Sequence, residues 1–413
     1  MSADAIVVVG AGQAGGWAAR TLRECGYGGR VILLGAEAHA PYERPPLSKA
    51  VLAGAAAPES AALWPADEWS RLDIEFRAGL AATELRIAEQ AVLAADGQLF
   101  AYDALLLCSG GRARVPAVPG TDLPGVHVLR TRDDAMRLRQ ALAGGKRLAV
   151  VGGGWIGLEV AATARQMGCG VTVIEQADRL CARSVPPGVS AYLADLHRAN
   201  GVDLAMGAGL LRIQADGPAL ELVLADERRV PADVVVLGVG LQPCDELARA
   251  AGIACDGGVL VDEYCRSSAP NVYAAGDVAV MTLQAGMRVR LESWQNAQDQ
   301  GIAAARAALG QGAPYAPTGA VWSEQYDAMI QSVGFVQRAA AEALRPLASQ
   351  NGLLSVGLDA DGRAVSAVAI NAGRDVRQLR KWVAEAACLD ASVLARTDAP
   401  LATAQLRPAA ATA

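Results

Sequence analysis

Lysine is scarce: only Lys49, Lys146 and Lys381 occur, and arginine supplies the other basic residues, a bias of base composition rather than of function. The net charge of −6 withholds the basic field that a general nucleic-acid binder needs. No uninterrupted apolar run approaches the ~20 residues that span a bilayer. The opening Met1-Ser-Ala-Asp-Ala5 has no basic region or cleavage pattern and leads straight into a strand. A soluble cytoplasmic chain without nucleic-acid or membrane partners is expected. The eight cysteines form neither C-x-x-C nor any zinc or iron–sulfur spacing, so no metal is expected. They read as neutral thiols in a reducing compartment.

What the chain does have is two glycine-rich loops, each following an apolar strand and opening a helix. The first is Gly10-Ala-Gly12-Gln-Ala-Gly15 after Ile6-Val-Val-Val9; the second is Gly152-Gly-Gly154-Trp-Ile-Gly157 after Leu148-Ala-Val-Val151. In such a loop the first glycine permits a tight turn. The second lets a pyrophosphate approach bare backbone, and the third lets helix pack on strand. The helix N-terminus then offers unpaired N–H groups to the phosphates. Two loops predict two dinucleotides in one protein.

The first βαβ start covers residues 5–34, closing with Val31-Ile-Leu-Leu34, and two strands are expected near residues 91–107. The Pro/Gly-rich crossing Val115-Pro-Ala-Val-Pro-Gly120 reads as a linker. A second Rossmann-like unit runs from about Leu148 to Ala232, and Asn271-Val-Tyr-Ala-Ala-Gly-Asp277 is a short buried strand ending in Gly-Asp. A helix is predicted from Trp294 to Leu309. Residues 318–400 alternate strand-like runs with two helical stretches, an α+β pattern. The Ala/Thr/Pro-rich tail from Leu401 is expected to be disordered.

An acidic residue at the end of the second strand should take the ribose hydroxyls of a dinucleotide. In the second unit that residue is Glu175, directly after Val171-Thr-Val-Ile174. Its carboxylate repels a 2′-phosphate, and Gln176, Ala177 and Asp178 bring no positive charge to welcome one, so NADH is preferred over NADPH. In the first unit Gly35-Ala36 precede the candidate, Glu37, which falls one residue late. Pro41-Tyr-Glu-Arg-Pro-Pro-Leu-Ser-Lys49 has two readings from the residues alone. It is either a solvent-facing loop entering a helix, or a proline-stiffened support that presents Arg44 and Lys49.

That stretch resembles the flavin signature of the ferredoxin reductases serving Rieske oxygenases and bacterial cytochromes P450, the putidaredoxin-reductase-like and biphenyl-dioxygenase-reductase-like proteins. Apoptosis-inducing-factor-like flavoproteins share it. Tyr273-Ala-Ala-Gly-Asp277, Glu292-Ser-Trp-Gln-Asn-Ala-Gln298 and Trp322-Ser-Glu-Gln-Tyr-Asp327 resemble the same family, in the same order, and the likeness runs to about residue 385. It implies an α/β fold: two Rossmann-like dinucleotide-binding domains in the glutathione-reductase-like arrangement, the NAD domain inserted in the FAD domain, plus a C-terminal α+β domain. The expected boundaries are 1–111 (FAD, first part), 112–239 (NAD), 240–316 (FAD, second part), 317–400 (C-terminal) and 401–413 (flexible tail).

By resemblance, Gly10, Gly12 and Gly15 hold the pyrophosphate of non-covalent FAD, with Glu37 on its ribose and Arg44 and Arg130 as nearby polar ligands. Ala82 uses its backbone on the adenine side, Asp277 contacts the ribityl chain, and the Trp294 backbone faces the flavin pyrimidine. Lys49 sits beside flavin N5, paired with Glu159. A buried carboxylate and ammonium hold each other charged, where either alone would be neutralised. Gly152, Gly154, Ile156, Gly157, Glu175 and Arg183 belong to the NADH site. Trp155 either covers the face on which nicotinamide stacks or packs between domains. Trp322 approaches the opposite flavin face, towards the electron acceptor.

The implied activity is that of an NADH-dependent ferredoxin reductase feeding a [2Fe–2S] ferredoxin, as a monomer or weak dimer. The absence of a dithiol means that electrons leave from a bound cofactor. Rubredoxin reductase, NADH oxidase and a redox-sensing interaction protein use the same front half. Two departures from the family pattern are Ala36, where many relatives carry an acid, and Gly319-Ala-Val321, which lacks the usual extra aromatic. Arg374, Arg377, Arg380 and Lys381 fall at helical spacing. They form either a solvated face or a stripe that docks an acidic ferredoxin.

Overall fold

Runs such as Ile6-Val-Val-Val9 and Val234-Val-Val-Leu237 carry no polar alternation, which suits parallel strands covered on both faces. In the computed structural model, which describes residues 4–283, 286–347 and 351–406, that is what they form. The chain divides into two units. One comprises Met1–Pro45, Pro58–Arg112 and Leu241–Pro317; the other comprises Pro46–Ala57, Ala113–Gly240 and Thr318–Ala413.

The first unit is built on a five-stranded parallel sheet in the order Val272–Ala274, Ala104–Leu107, Ala5–Val9, Arg30–Leu34, Ile74–Arg77. Ala5–Val9 lies at its centre, every residue buried, so the loop that leaves it emerges at the middle of the sheet. The helices Gln13–Glu24 and Trp294–Ala308 pack closely, because a Cβ on Gly301 would run into the Ala14 carbonyl. Where two strands were expected near residues 91–107 there are three, since Leu99–Ala101 pairs with Ala91–Ala94 in a separate antiparallel sheet.

The second unit repeats the plan. Its parallel sheet runs Val202–Ala205, Gly170–Ile174, Arg147–Val151, Val234–Leu237, Val126–His127. The C-terminal segment adds a five-stranded antiparallel sheet in the order Val321–Gln325, Ala328–Gly334, Ala364–Ile370, Gly352–Leu358, Ala341–Leu347. Strand-like runs are expected in this segment, and five strands form there. The helix Val376–Ala384 covers the sheet with Leu379 and Trp382.

Two segments depart from expectation. Residues 46–57, assigned by sequence to the FAD part, belong to the second unit, because Leu52 is buried in a core with Leu138, Leu142 and Leu158. The tail expected to be flexible from residue 401 begins with an ordered 3-10 turn, Leu401–Ala404. Ala404 is buried there, and Trp382 Nε1 donates to Gln405 Oε1 at 2.9 Å. Residues 407–413 lie outside the described residues. Among the described residues no helix is long and apolar enough to cross a membrane.

Candidate functional site: two dinucleotide cradles and a buried lysine–glutamate pair

Both glycine loops have the same construction. Gly10 and Gly152 lie at φ +107° and +110°, and their N–H groups donate to Leu34 and Ile174, each at 2.8 Å. A Cβ on Gly10 would strike the carbonyl of Cys108, and one on Gly152 that of Gly238. Gly15 and Gly157 press against the Gly10 and Gly152 carbonyls, again with no room for a side chain. Gly12 and Gly154 are different. Each caps its helix in extended backbone that any residue can adopt, with nothing within 4 Å of a Cβ. A glycine that neither conformation nor neighbours require, placed over uncapped helix N–H groups, fits a cradle kept clear for a phosphate. The residues present therefore fit a dinucleotide in each unit.

Glu175 follows the strand Gly170–Ile174 and turns back over its own loop. Its Oε2 accepts from Gly153 N at 2.6 Å and its Oε1 from Ala177 N at 2.7 Å. In the first unit Glu37 is tied up by side chains instead: Tyr42 Oη donates to Oε2 at 2.5 Å and Arg44 Nη2 to Oε1 at 2.8 Å. Burial works against the Arg44 charge, but Tyr42, Glu37 and Asp277 together raise its pKa above the ordinary value. Arg44, Glu37 and Asp277 thus share one neighbourhood of the first unit. Asp277 lies on the 3-10 turn Gly276–Val278, where its carbonyl accepts from Arg290 Nη1 at 3.1 Å. Trp294 opens its helix after the Ser293 cap, and Ala82 opens the strand Ala82–Arg86.

Of the other sequence candidates, Arg130 belongs to the second unit, its backbone N–H bonded to Asp134. Arg183 is exposed near Gly240, and Ile156 is half exposed beside the second loop. Trp155, the first residue of the helix Trp155–Gln166, is partly buried against the core of the second unit.

Lys49 and Glu159 meet within the second unit. Lys49 Nζ is 2.7 Å from Glu159 Oε2 and 5.0 Å above the centre of the Trp322 ring, a cation–π distance. Sequence reasoning missed the hydroxyls around them. Ser48 Oγ donates to Glu159 Oε2 at 2.5 Å, Ser323 Oγ to Oε1 at 2.6 Å, and Thr163 Oγ1 to the Ser48 carbonyl at 2.7 Å. Glu159, 3% exposed, has both oxygens occupied, which a buried carboxylate requires. Ser48 adjoins Lys49 and Ser323 adjoins Trp322 in the sequence, and that adjacency is the available signal.

All eight cysteines are free, and burial pushes the Cys108 and Cys265 thiols up to about 12. Neither is a thiolate nucleophile at neutral pH.

Two dinucleotide cradles and a buried ion pair define a two-dinucleotide oxidoreductase. Residues 4–301 match the pyridine nucleotide-disulphide oxidoreductase family and residues 320–405 the reductase C-terminal family. The chain belongs to the former family and carries the latter's C-terminal domain. It is 40% identical over 392 residues (94% of this chain, 98% of the relative) to the 3-phenylpropionate/cinnamic acid dioxygenase ferredoxin–NAD(+) reductase component of Photorhabdus laumondii. It is 41% identical over 373 residues (90% and 91%) to the biphenyl dioxygenase system ferredoxin–NAD(+) reductase component of Paraburkholderia xenovorans. The crystal structure of the ferredoxin reductase for the CYP199A2 system from Rhodopseudomonas palustris superposes with a TM-score of 0.93 at 34% identity, covering 98% of this chain and all of that one.

Proposed function

We propose that this chain is an NADH-dependent ferredoxin reductase, taking hydride from NADH and delivering single electrons to a [2Fe–2S] ferredoxin that supplies a Rieske or cytochrome P450 oxygenase. The observation that carries this reading is the pair of matching loops, each with an open glycine at its helix cap. FAD, when bound, supplies the two-electron to one-electron conversion that no side chain here can perform. Gly10, Gly12 and Gly15 admit its pyrophosphate, with Glu37, Arg44, Ala82, Asp277 and Trp294 of the same unit as its further contacts.

In the second unit Gly152, Gly154 and Gly157 admit NADH, with Ile156 and Arg183 beside it and Trp155 yielding to the nicotinamide. Lys49, held by Glu159, supports the negative charge that reduction creates. Anaerobic stopped-flow mixing of the FAD-loaded protein with NADH, then with purified [2Fe–2S] ferredoxins, tests the proposal. Fast flavin bleaching and transfer to at least one ferredoxin are expected. Bleaching followed by transfer only to rubredoxin or oxygen would replace the reading, and a stable complex that passes electrons to nothing would mark a redox sensor.

Cofactor choice rests with Glu175. Its carboxylate is fixed by two backbone amides, and in this reading it meets a 2′-phosphate with like charge. Glu175→Ser is expected to shift the NADH/NADPH ratio of kcat/KM towards NADPH by about tenfold, the equivalent of ~1.4 kcal/mol. An unchanged ratio would remove Glu175 from the ribose site.

Arg377, Arg380 and Lys381 are exposed on the helix Val376–Ala384, with Arg374 exposed just ahead of it. Trp322 is 37% exposed on the edge strand of the same domain's sheet. We assign this surface to an acidic ferredoxin, steered by charge. The double substitution Arg377→Glu, Arg380→Glu is expected to raise the ferredoxin KM about tenfold and to flatten its dependence on salt. An unaltered KM would leave the stripe as a solvated face.

A further inference from the structure

The polar network around Glu159 does not stop at Ser323. Gln325 Nε2 donates to Ser323 Oγ at 3.1 Å, His197 Nε2 lies 2.8 Å from Gln325 Oε1, and Tyr326 Oη lies 3.3 Å from His197 Nδ1. All of these groups belong to the second unit. His197 comes from the helix Pro187–Ala199, Ser323 and Gln325 from the strand Val321–Gln325, and Glu159 from the helix Trp155–Gln166. His197 and Ser323 are fully buried and Gln325 is 1% exposed.

The directions of these bonds follow from chemistry. An amide oxygen only accepts, so His197 Nε2 must carry the proton that faces Gln325. Burial lowers the His197 pKa and disfavours the imidazolium, leaving Nδ1 to accept from the Tyr326 hydroxyl. Burial also raises the Tyr326 pKa to about 12, so that hydroxyl keeps its proton. Every donor therefore points the same way: Tyr326 to His197, His197 to Gln325, Gln325 to Ser323, Ser323 to Glu159. Each bond polarises the next, and the chain ends on a carboxylate. Since the Gln325 amide is not a ready proton carrier, the chain orients groups and does not conduct protons.

Tyr326 is held in place at a conformational cost. It occupies the first position of the two-residue connection between Val321–Gln325 and Ala328–Gly334, at φ +55°, a region that favours glycine or asparagine. Its ring meets that of His197 edge-on, with centroids 5.3 Å apart. Turn chemistry alone does not explain a tyrosine here.

We propose that Tyr326, His197, Gln325 and Ser323 form a one-way hydrogen-bond chain that commits the Ser323 proton to Glu159 Oε1 and so fixes Oε2 for Lys49. Ser323, Gln325 and His197 are then positioning residues, and Gln325 sets the direction, because its donor and acceptor ends are chemically distinct. The functional half of this proposal rests on the reductase reading; the chain itself does not.

The test has two readouts on the full-length FAD-loaded protein. The chain contains three histidines, so 15N labelling of the imidazoles gives a spectrum simple enough to assign. A neutral His197 with its proton on Nε2 at pH 7 is expected. An Nδ1–H tautomer or an imidazolium would overturn the proposal, because Tyr326 would then have to accept and the chain would not run to Glu159. In Gln325→Glu, His197 keeps an acceptor of the same shape, but the second oxygen competes with Glu159 for the Ser323 proton. The rate of flavin reduction by NADH is expected to fall about tenfold, with the NADH Kd changed less than about twofold. An unchanged rate would overturn the positioning role. Should wild-type protein fail to take hydride from NADH, the reductase reading falls, while the histidine tautomer still decides the chain.

Discussion

Gly12→Val is expected to give a folded protein that purifies without flavin, and Gly154→Val a protein that keeps its flavin but is no longer reduced by NADH. Both glycines sit in extended backbone that valine readily adopts, and nothing lies within 4 Å of the Cβ position. The cost to folding is that of a poorer helix cap, about 1 kcal/mol, against a stability of roughly 5–15 kcal/mol. The cost to binding is far larger, because the isopropyl group fills the volume a pyrophosphate must enter. An affinity loss of at least about a hundredfold, ~2.7 kcal/mol, is expected at each cradle.

Gly15→Val is the contrast. Its Cβ would collide with the Gly10 carbonyl, which cannot move without breaking the turn, so this variant should fail to fold. Circular dichroism, the flavin absorbance ratio and NADH titration separate the three outcomes. Flavin-loaded Gly12→Val, or NADH reduction of Gly154→Val at the normal rate, would mean that the open glycines do not face the cofactors.

These glycines were legible in the sequence because their chemistry is local. A strand, a turn of fixed spacing and a helix follow one another without a break, as Ala5–Val9 and Gln13–Glu24 do, and the acid at Glu175 is placed by the end of the very next strand. The hub around Glu159 is the opposite case. Ser48 and Glu159 are 111 residues apart, Ser323 and Glu159 are 164 apart, and only tertiary packing brings them together. Lys49 and Glu159 were named through family resemblance, and nothing in their own surroundings pointed to the pairing.

Periodicity misled further along the chain. The strand Val321–Gln325 turns Ser323 and Gln325 inward and leaves Trp322 and Glu324 exposed. A reader expecting apolar residues inside would give this strand the wrong face, or no strand. The boundary at Pro45–Pro46 was hidden for a related reason. Two consecutive prolines read as one stiff support, yet Arg44 belongs to one unit and Lys49 to the other, because Leu52 anchors the second half in a different core.

The lysine–glutamate pair carries the second large expectation. Lys49→Met and Glu159→Gln should each slow flavin reduction by NADH about a hundredfold, and the double variant should be no slower than either single one. The reason lies in the geometry. Glu159 holds the ammonium 2.7 Å away, and Trp322 covers it at 5.0 Å, so the charge is in place before any reduction occurs. Losing the lysine removes the charge, and losing the carboxylate removes what holds it still, so the two act as one unit and their effects do not add.

Stability should respond differently. In Lys49→Met the carboxylate keeps the hydroxyls of Ser48 and Ser323, so the penalty should fall below the roughly 3–5 kcal/mol typical of a broken buried pair. Glu159→Gln leaves an ammonium that is 14% exposed and can turn towards water. Both variants should therefore fold and load FAD. Single-turnover reduction and thermal unfolding, measured on the two single variants and the double, separate the roles. Additive loss of rate would mean that Lys49 and Glu159 act on different steps. A loss of stability as large as the loss of rate would make the pair a structural element and not part of the reaction.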